Sequence, residues 1–305
     1  MNFEKLIDTS FVDINTNPAL LPIDKKYVLS LINDFESGKW RHDKFKNYIW
    51  DNIAETALSK SERNKLIDKP NSALVESAKN LRLTDNDKIG EGSELCEILL
   101  YGIMKEYYSA LPVVPKIFYK QNANDNAKGA DSVHIVIENN SNDFSLWFGE
   151  AKFYKSIDGA INSAIKSVDK FLRNDNQIKK ENSIITSVSD IDKMDLSIEL
   201  VEKIKSTLSG ENSLDSIKPK INIPILLLHE CEITKNQTEL TKQYKDKVIS
   251  FHKEKTNKYF KKQVEKMSDI FKYADIKFHL ILFPIPDKES IVNSFIENAN
   301  HYKWQ

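Results

Sequence analysis

The sequence has 305 residues, 40% of them hydrophobic, which is ample for a buried core and for one large domain or two small ones, and excludes disorder as the main state. Its 44 Lys and Arg against 45 Asp and Glu leave a formal charge of -1, so any contact with nucleic acid must come from local patches. Cys96 and Cys231 are the only cysteines; far apart and without metal-ligand spacing, they exclude a disulfide scaffold and fit a reducing cytoplasm.

The N-terminus lacks the charged region, apolar core and cleavage site of a signal peptide, and no run approaches the ~18 apolar residues of a membrane span. A cytoplasmic chain without membrane contact is expected. Residues 1–85 read as a helical N-terminal region, because Tyr27–Phe35 and Phe45–Leu58 show apolar returns every three or four positions, broken by Pro22 and Pro70. A long helix is predicted from Ile89, with Leu95, Ile98, Leu99, Gly102 and Ile103 on one stripe and Pro112 and Pro115 ending it.

From Lys116 to Tyr154 the period switches to two, which predicts strands at Ile117–Tyr119, Asp131–Glu138 and Phe144–Tyr154. Asn139–Asp143 is a turn cluster, so the last two strands should form a hairpin. After it, Ala160, Ile161, Ala164, Ile165, Val168 and Leu172 share one helical face, with Ser156 as N-cap. A polar stretch, Asn174–Asp195, precedes a helix over Leu196–Leu208 that ends at Gly210. Two apolar strands, Ile221–Leu228 and Lys277–Phe283, enclose a Lys-rich helical region from Leu240 to Tyr273. Strands too apolar to keep one wet face require helices on both sides, hence an α/β core over residues 86–305.

Chemistry concentrates in Gly129-Ala130-Asp131 and Gly149-Glu150-Ala151-Lys152, which fall on adjacent predicted strands. Side chains alternate along a strand, so Glu150 and Lys152 point the same way, with Leu146, Phe148 and Tyr154. Two carboxylates from neighbouring strands can hold Mg²⁺, or Mn²⁺, while leaving positions for water and phosphate. A nearby Lys can orient that water or offset charge on the attacked phosphate. Asp131, Glu150 and Lys152 are therefore the candidate catalytic residues of a phosphodiesterase.

Hairpin register decides whether Asp131 shares their face. A five-residue loop, Asn139–Asp143, would set Asp131 opposite Ala151, on the wrong side. A two-residue loop, Asn140-Ser141, sets it opposite Glu150, and a four-residue loop, Asn140–Asp143, opposite Lys152. The site demands an even loop or a bulge near Gly149. A third metal ligand could come from the preceding helix, where Glu91, Glu94 and Glu97 recur every three residues. At ~100° per residue, Glu91 lies nearest the apolar stripe, Glu94 borders it beside Tyr101 and Glu97 is nearly opposite. Glu94 is favoured as ligand and Glu91 second.

These residues, in this element order, resemble the PD-(D/E)xK nuclease superfamily, whose core is helix, three strands, helix and further strands. A closer resemblance, over Ile89–Asn298, is to the HamA family, nuclease subunits of the Hachiman anti-phage system. It rests on the Gly90-Glu91-Gly92-Ser93-Glu94-Leu95 helix start, Gly129 to Ile135, Trp147 to Tyr154 and the Phe278 to Pro286 strand. The resemblance implies a restriction-endonuclease-like fold with a central mixed sheet, Mg²⁺-dependent DNA cleavage in anti-phage defence, and a superfamily 2-type helicase partner, HamB. The Gln-x-x-x-Tyr box of RecB-like relatives is absent after Leu172.

The competing readings are a DNA-binding or helicase-regulating subunit that cleaves nothing, and an RNA nuclease on the same fold. Ten Lys against four acidic residues between Lys235 and Lys266 could track a phosphate backbone or simply solvate a helix face. His134 falls on the face opposite Asp131, His229 and His279 sit in or beside apolar strands, and Trp147 and Phe153 face away from Glu150; all five read as structural. No G-x-x-x-x-G-K-[ST] or H-E-x-x-H occurs, so an ATPase or a zinc protease has no support.

Overall fold

The computed structural model describes residues 2–83, 94–119, 129–138, 142–187, 191 and 196–305. The chain opens on strands β1 (Glu4–Ser10) and β2 (Lys26–Ile32), then a short hairpin of β3 (Phe35–Glu36) and β4 (Lys39–Trp40). Helices α1 (His42–Ala57), α2 (Lys60–Lys65) and α3 (Pro70–Lys79) follow, the last with proline at its first position, where no amide hydrogen is needed. Next come α4 (Glu94–Tyr108), β5 (Leu111–Val114), α5 (Lys116–Tyr119), β6 (Ser132–Ile137) and β7 (Phe144–Tyr154). Four helices succeed them: α6 (Ile157–Leu172), α7 (Asp175–Ser187), α8 (Ile198–Thr207) and α9 (Leu214–Ile217). The chain closes on β8 (Ile221–Glu230), α10 (Glu232–Lys235), α11 (Lys242–Met267), β9 (Lys277–Ile285) and α12 (Lys288–Lys303).

Seven strands form one mixed sheet in the order β1-β2-β9-β8-β7-β6-β5 among the described residues. Parallel pairing joins β2, β9, β8 and β7, while β1, β6 and β5 add antiparallel edges. The central strands are apolar on both faces because helices cover both. Leu146, Phe148, Ile225, Leu227, Leu280 and Leu282 pack into one core with α6, α7, α8 and α11. Trp147, Ala151, Phe153, Leu226, Leu228 and Ile281 pack into another with α1, α3, α4 and α12. The structure is the α/β core with flanking helices expected from the sequence.

Several local expectations need correction. Tyr27–Phe35 is not helical: β2 is a strand buried along nearly its whole length between β1 and β9, and burial on both faces erases the period of two that would have marked it. Ile117–Tyr119 is helical, as part of α5, and the strand before it is Leu111–Val114. Pro112 is tolerated there because β5 lies at the sheet edge, where a missing amide hydrogen need not break a ladder. Within the polar stretch after Asn174, Asp175–Ser187 is helical; it buries Ile178, Glu181, Asn182 and Ile185, a stripe thinned by the two polar residues. The hairpin, α6, α8, β8, β9 and α11 lie where the pattern placed them to within a few residues.

Candidate active site

Strand β6 pairs with β7 from Ser132↔Gly149 to Ile137↔Phe144, and Glu138 N–H extends the ladder to Asp143 C=O at 3.1 Å. Continued one step, this register would set Asp131 across from Glu150, the alignment of a two-residue turn; Asn139, Asn140 and Ser141 lie outside the described residues. At this end the ladder bends. Asp131 N–H donates to Gly149 C=O at 2.7 Å, one residue off register, and Asp131 Oδ2 accepts Ala151 N–H at 3.0 Å. The Asp131 carboxylate thus takes the place of the backbone carbonyl that the β6 side of the ladder would otherwise offer to Ala151 of β7. Gly149 has no side chain because none would fit: a Cβ there would overlap Ser132 Oγ and lie 2.8 Å from Leu100 Cδ2 of α4.

Glu150 and Lys152 face the α6 layer and form an ion pair, each side chain only 12% exposed. Burial, and next the Asp131 charge, push the Glu150 carboxyl up to about 7, against the opposing pull of Lys152 and the Ser167 hydroxyl of α6. Burial disfavours the Lys152 ammonium, but Glu150 and Asp131 outweigh it and hold its pKa above the ordinary lysine value. Beside them, the Tyr154 hydroxyl is 3.0 Å from Ser163 Oγ of α6. Lys152 therefore pairs with Glu150, and the Asp131 charge is near enough to act on both. That donor set fits a divalent cation, since two hard oxygen ligands and one compensating lysine leave a negative charge to be met.

The helix carboxylates behave differently from expectation. Glu94 accepts backbone N–H groups of Arg82, at 3.0 and 3.1 Å, and of Leu83 at 3.3 Å, so it anchors the chain before α4 instead of turning to the pair. Glu97, placed by the helical wheel on the outer face, is 3% exposed. The wheel fails because α4 is buried continuously from Leu95 to Met104, so it has no outer face there. Cys96 thiol ionisation is suppressed first by burial and then by Asp131 and Glu97, with Lys152 and Lys288 opposing. Glu91 lies outside the described residues. Among the described residues no three His, Cys, Asp or Glu side chains converge closely enough to hold a metal.

Ser167 was missed at the sequence level, although its place on the Ala160, Ala164, Phe171 stripe of α6 would have shown it turned inward. The histidines are structural in their surroundings. His134 is buried against Tyr101, ring centroids 4.5 Å apart, and burial depresses its pKa to about 3. His279 meets Asn222 Oδ1 at 2.9 Å and stacks on Tyr27. His229 contacts Leu227 C=O at 3.3 Å. On α11, Lys245, Lys255, Lys258 and Lys266 make ion pairs with Glu4, Asp158, Asp158 and Asp169, whereas Lys247, Lys253 and Lys261 are exposed and form none among the described residues.

A helix, an antiparallel hairpin carrying Glu150 and Lys152 on one face with Asp131 at its mouth, a further helix and parallel strands beyond it define a PD-(D/E)xK-like α/β core. The chain belongs to the HamA family, which it matches over residues 5–299. The match reaches past the stretch recognised by motif and takes in β1, β2 and α1 to α3. Membership associates the chain with Hachiman anti-phage defence. A comparison with curated proteins finds no match. Among the described residues no helix is long and apolar enough to cross a membrane.

Proposed function

We propose that this chain is a metal-dependent nuclease that cleaves DNA during anti-phage defence, controlled by a helicase partner, HamB. The observation that carries the reading is the ion pair of buried Glu150 and half-buried Lys152, with the Asp131 charge acting on both and the Glu150 carboxyl raised to about 7. Asp131 and Glu150 would hold Mg²⁺ or Mn²⁺, which when bound supplies a Lewis acid for phosphate and a water of lowered pKa. Asp131 is kept in place by the Ala151 amide, which takes one of its two oxygens. Glu150 must lose its proton to serve as a ligand, and Lys152 favours that loss. The Lys152 ammonium is also placed to orient an attacking water and to offset charge gathering on phosphate oxygens. Glu94 has no part in this proposal, since its carboxylate is engaged with backbone amides.

Supercoiled plasmid incubated with the purified protein, with and without Mg²⁺, tests the reading. Cleavage should require the metal and vanish in Glu150→Ala and Lys152→Ala, while DNA binding survives in both because many lysines share the phosphate contacts. Cleavage by Glu150→Ala at the parent rate would end it. Binding without cleavage in the parent would favour a silent, helicase-regulating subunit, and cleavage of RNA alone would move the substrate. Control by HamB rests on family membership, and co-purification of a helicase with the chain is its test.

A further inference from the structure

We propose that the buried ion pair of Lys116 and Glu181 is a positioning device for Asp131. Lys116 Nζ lies 2.7 Å from both Glu181 carboxylate oxygens, and the two side chains are 1% and 3% exposed. Lys116 begins α5, and Glu181 projects from α7. The lysine is itself fixed, for its backbone N–H approaches the Tyr101 hydroxyl at 3.4 Å, and that hydroxyl donates to Val114 C=O.

Gly129 connects the pair to the site. A Cβ on Gly129 would overlap the Glu181 carboxylate, so the carboxylate presses directly on the backbone two residues before Asp131. Asp131 is therefore held from both sides: Glu181, braced by Lys116, sits against Gly129, and Ala151 N–H donates to Asp131 Oδ2. A buried ion pair is a costly way to join two helices, because desolvation of both charges offsets most of their attraction and apolar residues of similar size serve as well. Its contact with Gly129, two residues before Asp131, gives this pair a use that apolar packing alone would not supply.

The inference rests on Asp131 being a site carboxylate, so the test needs a readout independent of cleavage. Amide exchange at Ala151 provides it, since that N–H is covered by the Asp131 side chain. Two full-length variants are compared with the parent. Lys116→Met/Glu181→Leu removes both charges without leaving one unpaired, and Gly129→Ala drives a methyl group into the carboxylate. In both, exchange at Ala151 should rise while the rest of β7 stays protected. Affinity for Mn²⁺ alone should fall about tenfold or more, the usual effect of losing a group that orients a ligand, and plasmid cleavage should lose kcat with little change in KM. Parent-level protection of Ala151 in both variants overturns the proposal. Faster exchange at Ala151 in proteins that, like the parent, neither bind Mn²⁺ nor cut DNA would leave Asp131 positioned by the pair and defeat the nuclease reading instead.

Discussion

Replacing Glu150 by Gln should stabilise the metal-free protein at alkaline pH and leave it unchanged in acid. Burial and the Asp131 charge raise the Glu150 carboxyl from its ordinary 4.5 to about 7. One pKa unit corresponds to about 1.4 kcal/mol, so ionising this carboxyl in the folded state costs about 3 kcal/mol more than in the unfolded chain. Between pH 4.5 and 7 the folded protein holds a proton that the unfolded chain has released, and stability therefore falls as pH rises through that window. Below 4.5 the penalty is absent, and above 7 it is complete. The neutral amide of the Glu150→Gln variant imitates the protonated carboxyl at every pH. In EDTA, denaturant titrations at pH 4.5, 6, 7 and 8 should show this variant gaining on the parent progressively, to about 3 kcal/mol at the top, or roughly 5 °C in Tm for a chain of this length. Saturating Mg²⁺ should close the gap by stabilising the parent alone. A difference that stays flat with pH, or favours the parent at pH 8 in EDTA, would show that Lys152 and Ser167 already satisfy the carboxylate and that no charge is left for a cation to meet.

Metal binding competes with the proton on Glu150, so Mn²⁺ affinity measured calorimetrically should drop by about tenfold per pH unit below 7 and level off above it; a flat profile from pH 5.5 to 7 would remove Glu150 as a ligand. Gly149→Ala should destabilise the fold by about 2 kcal/mol in urea titrations, because its methyl group meets Ser132 and Leu100 in a closely packed layer. A change below half that would mean α4 can retreat from β7. Exchanging Lys247, Lys253 and Lys261 together for Ala should weaken DNA binding and lower the salt dependence of log K by roughly three, if each neutralises a phosphate. An unaltered slope would clear this face of α11 of DNA contact.

The sequence by itself carried the hairpin, helix α6 and the two buried strands β8 and β9, because each has a period or a run set by neighbours within a few residues. Gly129 to Asp131 and Gly149 to Lys152 could be placed on adjoining strands for the same reason, and strand alternation put Glu150 and Lys152 on one face before any fold was known. The pattern narrows the register to an even turn or a bulge near Gly149; in the structure the regular ladder ends at Ser132 and Gly149, and Asp131 bonds to Gly149 off that register. Only tertiary structure decided the rest. Lys26–Ile32 became a strand because β1 and β9 flank it and helical layers cover it, an environment no local pattern contains. The wheel put Glu97 on a wet face because it assumes there is one, whereas α4 is buried continuously from Leu95 to Met104. Lys116 and Glu181 are 65 residues apart in sequence, and each reads alone as a solvated charge. Their pairing, and its contact with Gly129, exist only once α5, α7 and Gly129 are brought together, since burial and charge pairing are properties of the assembled layers.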